Sequence, residues 1–134
     1  MIVYRVEYKN GCGPYNGPID VNFFLDHSDD VHPVAKAPHE WFQVNVRYGF
    51  TSWAKACRWW GHWGQKGIKI LKEGGCVVRA FDVQSVDVFE LDDKQCVFNY
   101  DRARLVEQLP YDLLLNEQLT LRVGVDRLHN KLIR

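Results

Sequence analysis

The alternating run at the start of the chain constrains its fold more than any other feature. From Ile2 to Tyr8 the side chains alternate between an aliphatic and aromatic face and a face that carries Arg5 and Glu7. This period of two, with its Tyr and Val content, predicts a β-strand. Turn-forming residues at 10–14 end the run. The first strand is therefore expected to carry charged side chains in the middle of its length, on one of its two faces.

The middle of the chain carries helix signals and then a second strand. Thr51 or Ser52 can cap a helix, because a hydroxyl oxygen accepts a backbone N–H that lacks a partner at a helix start. The apolar stripe that follows predicts a helix over Trp53–Trp60, and a second helix over Ile68–Glu73 ends at glycines. The β-branched run Cys76–Val83 is the best candidate for a central strand.

Weaker patterns complete the assignment. An extended segment is predicted over Trp41–Thr51, a hairpin over Val86–Leu91 and Gln95–Phe98, and a helix over Asp101–Leu109 that Asp101 caps. The stretch Asp26–Glu40 holds three His and two Pro without periodicity, which favours a long surface loop.

Together these elements predict one α+β domain, with a small mixed or antiparallel sheet flanked by helices. A length of 134 residues falls within the range of one compact domain. Residues 1–110 are expected to form the core. Leucines and valines recur through 111–134, which predicts a helical C-terminal extension packed on that core.

Composition and charge exclude several classes of function. The chain has 17 basic and 17 acidic side chains, so no global field attracts nucleic acid or an anionic membrane. No apolar run approaches the roughly 20 residues that span a bilayer, and the first residues lack the regions of a signal peptide. We therefore expect a cytoplasmic protein with no membrane contact, and nucleic acid is not the expected partner.

The cysteines and the standard catalytic motifs indicate neither a metal site nor a familiar nucleophile. Four cysteines are widely spaced and form no C-x-x-C pair, so reduced thiols and no metal are expected. The sequence has no P-loop, no dinucleotide-binding fingerprint, and no G-x-S-x-G or H-E-x-x-H motif. Any ligand site must therefore be built from residues that these motifs do not describe.

Four tryptophans lie between Trp53 and Trp63, and they cannot all face one core. Successive helical residues point about 100° apart, so Trp59 and Trp60 diverge. An exposed indole would either cover a neighbouring loop or anchor a partner protein, since Trp is enriched in interface hot spots. We predict Trp59 and Trp63 as partner-binding residues. Base stacking beside a local basic patch is a third alternative. The patch would comprise Arg47, Lys55, Arg58, Lys66 and Lys69.

Arg5 has two interpretations. In the first, it is an exposed charge that pairs with Glu7 along the strand face. In the second, its guanidinium is held ready for a phosphate or carboxylate, which Arg binds through two parallel hydrogen bonds.

Three segments resemble the core of ADP-ribosyltransferase-fold domains. They are Tyr4-Arg5, Phe50-Thr51-Ser52 and Val77-Val78-Arg79-Ala80-Phe81-Asp82-Val83. The resemblance implies an ADP-ribosyltransferase-like fold with NAD as cofactor, bound by Arg5, Thr51 and Ser52. It assigns Gln95 to the position of the family's catalytic Glu. Gln cannot carry negative charge toward an oxocarbenium-like centre, so the resemblance implies weak or absent transfer.

The order of short motifs along the chain also resembles small proteins encoded by phages and prophages. These motifs run from Tyr4-Arg5-Val6-Glu7 to Gln95-Cys96-Val97-Phe98 and cover about the first 110 residues. The resemblance implies a bacterial cytoplasm and a host protein as partner. Two functions are expected from it: an NAD-pocket protein that modifies or inhibits a host protein, or a non-catalytic inhibitor of a host or defence complex.

Overall fold

The computed structural model describes residues 1–14 and 45–116, which contain six strands and two α-helices. The strands are β1 (Ile2–Tyr8), β2 (Val46–Gly49), β3 (Cys76–Asp82), β4 (Val88–Glu90), β5 (Cys96–Asn99) and β6 (Arg104–Leu109). The helices are α1 (Trp53–Trp60) and α2 (Gly64–Glu73). The predicted loop Asp26–Glu40 and the first part of the predicted extended segment Trp41–Thr51 lie outside the described residues.

The strands form two three-stranded antiparallel sheets, in the orders β1-β3-β6 and β2-β5-β4. β3 is the central strand of the first sheet, as the sequence predicts. The two sheets are joined where the backbones of Tyr4 and Phe50 exchange two hydrogen bonds of 2.8 Å. The α+β class and the antiparallel pairing are therefore confirmed, with two small sheets in place of one.

The two faces of β1 belong to different hydrophobic clusters. Tyr4 and Val6 pack with the helices in the larger cluster, which includes Trp53. Val3, on the opposite face, packs with residues of the second sheet such as Phe98. Because both faces of β1 are covered, the charged residues that share the face of Val3 must also find partners inside the protein.

The first helix follows its sequence signals closely. Ser52 is the N-cap of α1, and its Oγ accepts the backbone N–H of Lys55 at 3.2 Å. The second helix begins at Gly64, earlier than the predicted Ile68, because packing of Gly67 and Ile68 against the core outweighs the low helix propensity of glycine. Within residues 1–14 and 45–116, neither helix has the length and apolar character needed to cross a membrane.

The helix predicted over Asp101–Leu109 is wrong. Asn99, rather than Asp101, caps a short 3₁₀ helix by accepting the N–H of Asp101 at 3.2 Å. The residues that follow form β6, which pairs with β3. Pairing with a central strand decides the structure here, since tertiary context overrides local propensity.

The predicted hairpin forms from β4 and β5, with a 3₁₀ helix over Ser85–Asp87 where the first strand was expected to begin. The side chain of Asp92 closes its turn by accepting the N–H groups of Lys94 at 2.8 Å and Gln95 at 2.9 Å. This turn fixes the position of Gln95 immediately before β5.

The chain beyond β6 begins as a 3₁₀ helix over Tyr111–Leu115 rather than as an α-helix. Leu114 is buried in the larger cluster, and the Trp53 indole N–H donates to the Asn116 carbonyl at 3.0 Å. The rest of the predicted helical extension, 117–134, lies outside the described residues.

Candidate functional site

A cavity of about 330 Å³ opens between β1, the turn that follows it, and β2. Charged, polar and aromatic groups converge on it, which is the usual character of a small-molecule site. The lining residues with charged, polar or aromatic side chains include Arg5, Cys12, Arg47, Tyr48, Trp60 and Gln95. The cavity therefore combines two guanidiniums with an amide, a thiol and aromatic rings.

Arg5 lines this cavity and is only 5% exposed. Its Nε donates to Glu7 at 2.7 Å, its Nη1 to the Tyr48 carbonyl at 2.7 Å and its Nη2 to the Gly11 carbonyl at 3.0 Å. These bonds tie β1 to its own turn and to β2. The interpretation of Arg5 as an exposed charge is therefore wrong, although its pairing with Glu7 is present.

Glu7 is fully buried and holds the charged face of β1 together. Besides Arg5, its carboxylate accepts from Arg79 Nη1 at 3.0 Å and from the Tyr100 hydroxyl at 3.0 Å. A buried carboxylate is tolerated only where it is paired and hydrogen-bonded. We call Glu7, Arg5, Arg79 and Tyr100 the Glu7 cluster.

Burial disfavours the charge on Arg5 and lowers the pKa of its guanidinium. Glu7 opposes this shift through a hydrogen bond and its charge, whereas the positive charge of Arg47 adds to it. Because an arginine keeps its proton in proteins, the two guanidiniums repel each other across the cavity. An anion bound there would relieve the repulsion.

Arg47 differs from Arg5 in its partners. Its Nη1 donates to the carbonyl of Val46 at 3.2 Å, and its guanidinium lies 5.4 Å from the centre of the Tyr100 ring. Its Nε is buried and has no acceptor among the described residues. No carboxylate within the described part of the chain forms an ion pair with Arg47.

Gln95 brings an amide to the same cavity. It stands immediately before β5, where the Asp92 turn holds its N–H and its carbonyl accepts the N–H of Leu91 at 3.0 Å. The side-chain amide can donate and accept hydrogen bonds to a ligand without carrying charge.

Thr51 and Ser52 are engaged elsewhere and are absent from the lining of the cavity. The Ser52 hydroxyl oxygen caps α1, as described above. Thr51 Oγ1 donates to the Glu90 carboxylate at 2.5 Å, and this bond, with the nearby charge of Lys55, lowers the pKa of Glu90. Of the four residues predicted to hold NAD or act on it, Arg5 and Gln95 thus share one cavity.

The two predicted partner-binding tryptophans have different environments. Trp59 is 6% exposed and packs in the larger cluster, with its ring 5.9 Å from that of Phe50. Trp63 is half-buried and makes an edge contact with the His62 ring at 5.2 Å. Of this pair, Trp63 therefore has the larger exposed fraction.

Sequence reasoning missed Arg47 and Cys12 as cavity residues. Arg47 was considered only as part of a basic surface patch, although its place beside Tyr48 on an extended segment could have put it next to another strand. Cys12 was read as a turn residue. Within the described ranges, no group of three or more His, Cys, Asp or Glu side chains is arranged to hold a metal ion.

Comparison with known proteins gives one match. No curated protein and no solved structure matches the chain. The model of the bacteriophage T4 Y00F protein family matches residues 1–112, which include every described residue of the cavity. The chain therefore belongs to the bacteriophage T4 Y00F protein family.

Proposed function

We propose that this small phage-type protein binds a nucleotide in the cavity between β1 and β2 and does not turn it over. One observation carries the proposal: Arg47 lines the cavity beside Arg5 and has no carboxylate partner among the described residues. Arg is the side chain best suited to phosphate, because its planar fork makes charge-assisted hydrogen bonds to two oxygens.

The other lining groups suit the rest of a nucleotide. The Gln95 amide matches ribose hydroxyls or the polar edge of a base. The rings of Tyr48, Phe50 and Trp60 also line the cavity, and aromatic side chains stack on bases of any sequence. A volume of about 330 Å³ lies at the low end of the roughly 300–1,000 Å³ of ligand sites, so it suits a ligand of mononucleotide size.

Gln95 also supports binding without transfer. An ADP-ribosyl transfer needs negative charge near the oxocarbenium-like centre, which an uncharged amide does not supply. NAD, which the resemblance implies, would be held by Arg5 and Gln95. The Thr51 hydroxyl already donates to Glu90, and the Ser52 hydroxyl already caps α1.

Isothermal titration of the full chain with AMP, NAD and adenosine tests the proposal. We expect AMP or NAD to bind and adenosine to bind at least tenfold more weakly, because adenosine has no phosphate. Arg47→Gln should weaken nucleotide binding, whereas Lys69→Gln, at an exposed helix position, should leave it unchanged. Absence of binding by every nucleotide at millimolar concentration would overturn the proposal.

Incubation with labelled NAD and bacterial lysate tests the second half of the proposal. We expect no label on any protein and no consumption of NAD. Label transfer that is lost in Gln95→Ala would show instead that the chain is an active transferase.

A second candidate, binding to a host protein, is favoured by the helical layer of the molecule. Residues 53–75 carry five basic side chains and one acidic side chain, and Trp63 lies between the two helices. An acidic host protein would complement this surface.

Capture from bacterial lysate should recover a partner with the wild type and with Val86→Ala, an exposed apolar control, but not with Trp63→Ala. Equal capture by all three would remove Trp63 from the interface.

A further inference from the structure

The charges around the cavity do not balance among the described residues. Arg5 and Arg47 line the cavity, and Arg79 reaches the Glu7 carboxylate, which also pairs with Arg5. Among the described residues, Glu7 is the carboxylate that pairs with these three arginines, and Arg47 is close enough to Arg5 to lower its pKa. These four side chains together have an excess of two positive charges, on groups that are buried or half-buried.

We infer that the cavity selects a terminal phosphate, a phosphate monoester, over a single phosphate diester. This inference rests on the proposed nucleotide function and names the form of nucleotide. A phosphate monoester carries about −1.5 to −2 charge at pH 7 because its second pKa is about 6. A diester phosphate carries a single negative charge, as in nucleic acid. The monoester therefore matches the excess charge.

The hydrogen-bond inventory of the two guanidiniums agrees with this assignment. Arg47 Nη1 donates to Val46, and its buried Nε has no acceptor among the described residues. Each terminal nitrogen of Arg5 has one N–H beyond those that Tyr48 and Gly11 accept. A terminal phosphate offers three unesterified oxygens to these donors, whereas a diester phosphate has lost one of them to its second bond.

AMP and 3′,5′-cyclic AMP form a matched pair that tests the inference, because they share base and ribose and differ in whether the phosphate is terminal. We expect the full chain to bind AMP at least tenfold more tightly than cyclic AMP at pH 7.5. Lowering the pH to 5 protonates the terminal phosphate, so the affinity for AMP should fall toward that for cyclic AMP. The affinity for cyclic AMP should stay constant, which separates ligand titration from damage to the protein.

Arg47→Gln should reduce the preference for AMP over cyclic AMP to less than threefold, with Lys69→Gln as the matched control that retains it. Arg47→Lys keeps the charge and loses the planar fork, so it should retain part of the preference. If Arg47→Gln does not fold, the pH dependence of the wild type still decides the question.

The outcomes separate this inference from the proposed function. Equal affinities for AMP and cyclic AMP would overturn the inference and leave nucleotide binding standing. Equal affinities for AMP and ribose 5-phosphate would support the terminal phosphate and overturn the role of the base. No binding by any of these compounds would overturn both.

Discussion

Arg79 and Arg47 are two strand arginines that differ in whether they pair with a carboxylate. Arg79 donates to the Glu7 carboxylate at 3.0 Å, and Tyr100 donates to the same carboxylate. Arg47 lies over the Tyr100 ring and has no carboxylate among the described residues. Both leave a buried Nε without an acceptor there. The difference agrees with a stabilising role for the Glu7 cluster and with the proposal that the Arg47 side of the cavity receives an anion.

The largest expected effect comes from removing the charge at the centre of the Glu7 cluster. Glu7→Gln should lower the free energy of unfolding by about 3–5 kcal/mol, because it leaves two guanidiniums near an uncharged amide in a buried site. Urea denaturation followed by tryptophan fluorescence measures it. Glu90→Gln removes an exposed carboxylate and should change stability by less than about 1 kcal/mol. A small effect of Glu7→Gln would show that the cluster is not stabilising.

Arg79→Gln should destabilise the protein by less than Glu7→Gln, by about 2 kcal/mol, since Arg5 still pairs with Glu7. The same denaturation experiment measures the difference. An equal loss in Arg47→Gln would contradict the contrast between the two arginines.

Because the Cys96 thiol in β5 is buried, we expect the free energy of unfolding to fall at alkaline pH. Burial raises its pKa from 9.0 to about 12, so the folded state keeps a proton that the unfolded state releases. The free energy of unfolding is therefore unaffected by this thiol below about pH 9. It falls as the pH rises from 9 toward 12, because only the unfolded state releases the proton in that range. At pH 10.5 the loss is about 2 kcal/mol, at 1.36 kcal/mol for each pH unit.

Denaturation at pH 8 and pH 10.5 should show a smaller loss of stability in Cys96→Ala than in the wild type. Cys12, in the cavity, is half-exposed and serves as the contrasting thiol. Cys12→Ala should retain the pH dependence of the wild type. If Cys96→Ala retains it too, the burial of Cys96 is not its cause.

Local patterns were sufficient to predict the elements that frame the cavity. The alternation from Ile2 gave β1, the Ser52 hydroxyl gave the start of α1, and the β-branched run from Cys76 gave the central strand. Each of these signals depends on residues adjacent in sequence. The strand β6 was mistaken for a helix because its structure depends on pairing with β3, which local sequence does not encode.

The cavity could be predicted only in part, for the same reason. Arg5 is recognisable in the sequence as a charged residue inside a strand. Its burial depends on Glu7, and the other partners of Glu7, Arg79 and Tyr100, lie 72 and 93 residues from Glu7 in the sequence. Among the described residues, no carboxylate pairs with Arg47, and this follows from how the strands assemble. The spacing of residues in the sequence does not predict it.

The most direct test of the account is the stability of Arg47→Gln with and without AMP. Without ligand, the free energy of unfolding of the variant should lie within about 1 kcal/mol of the wild-type value, because no carboxylate among the described residues pairs with Arg47 and would be left unpaired. With AMP at 100 times the dissociation constant of the wild type, the wild type should gain about 2.7 kcal/mol and the variant much less. Equal gains in the two proteins, or a variant that is already several kcal/mol less stable without AMP, would contradict the division between a stabilising cluster and an anion-binding cavity.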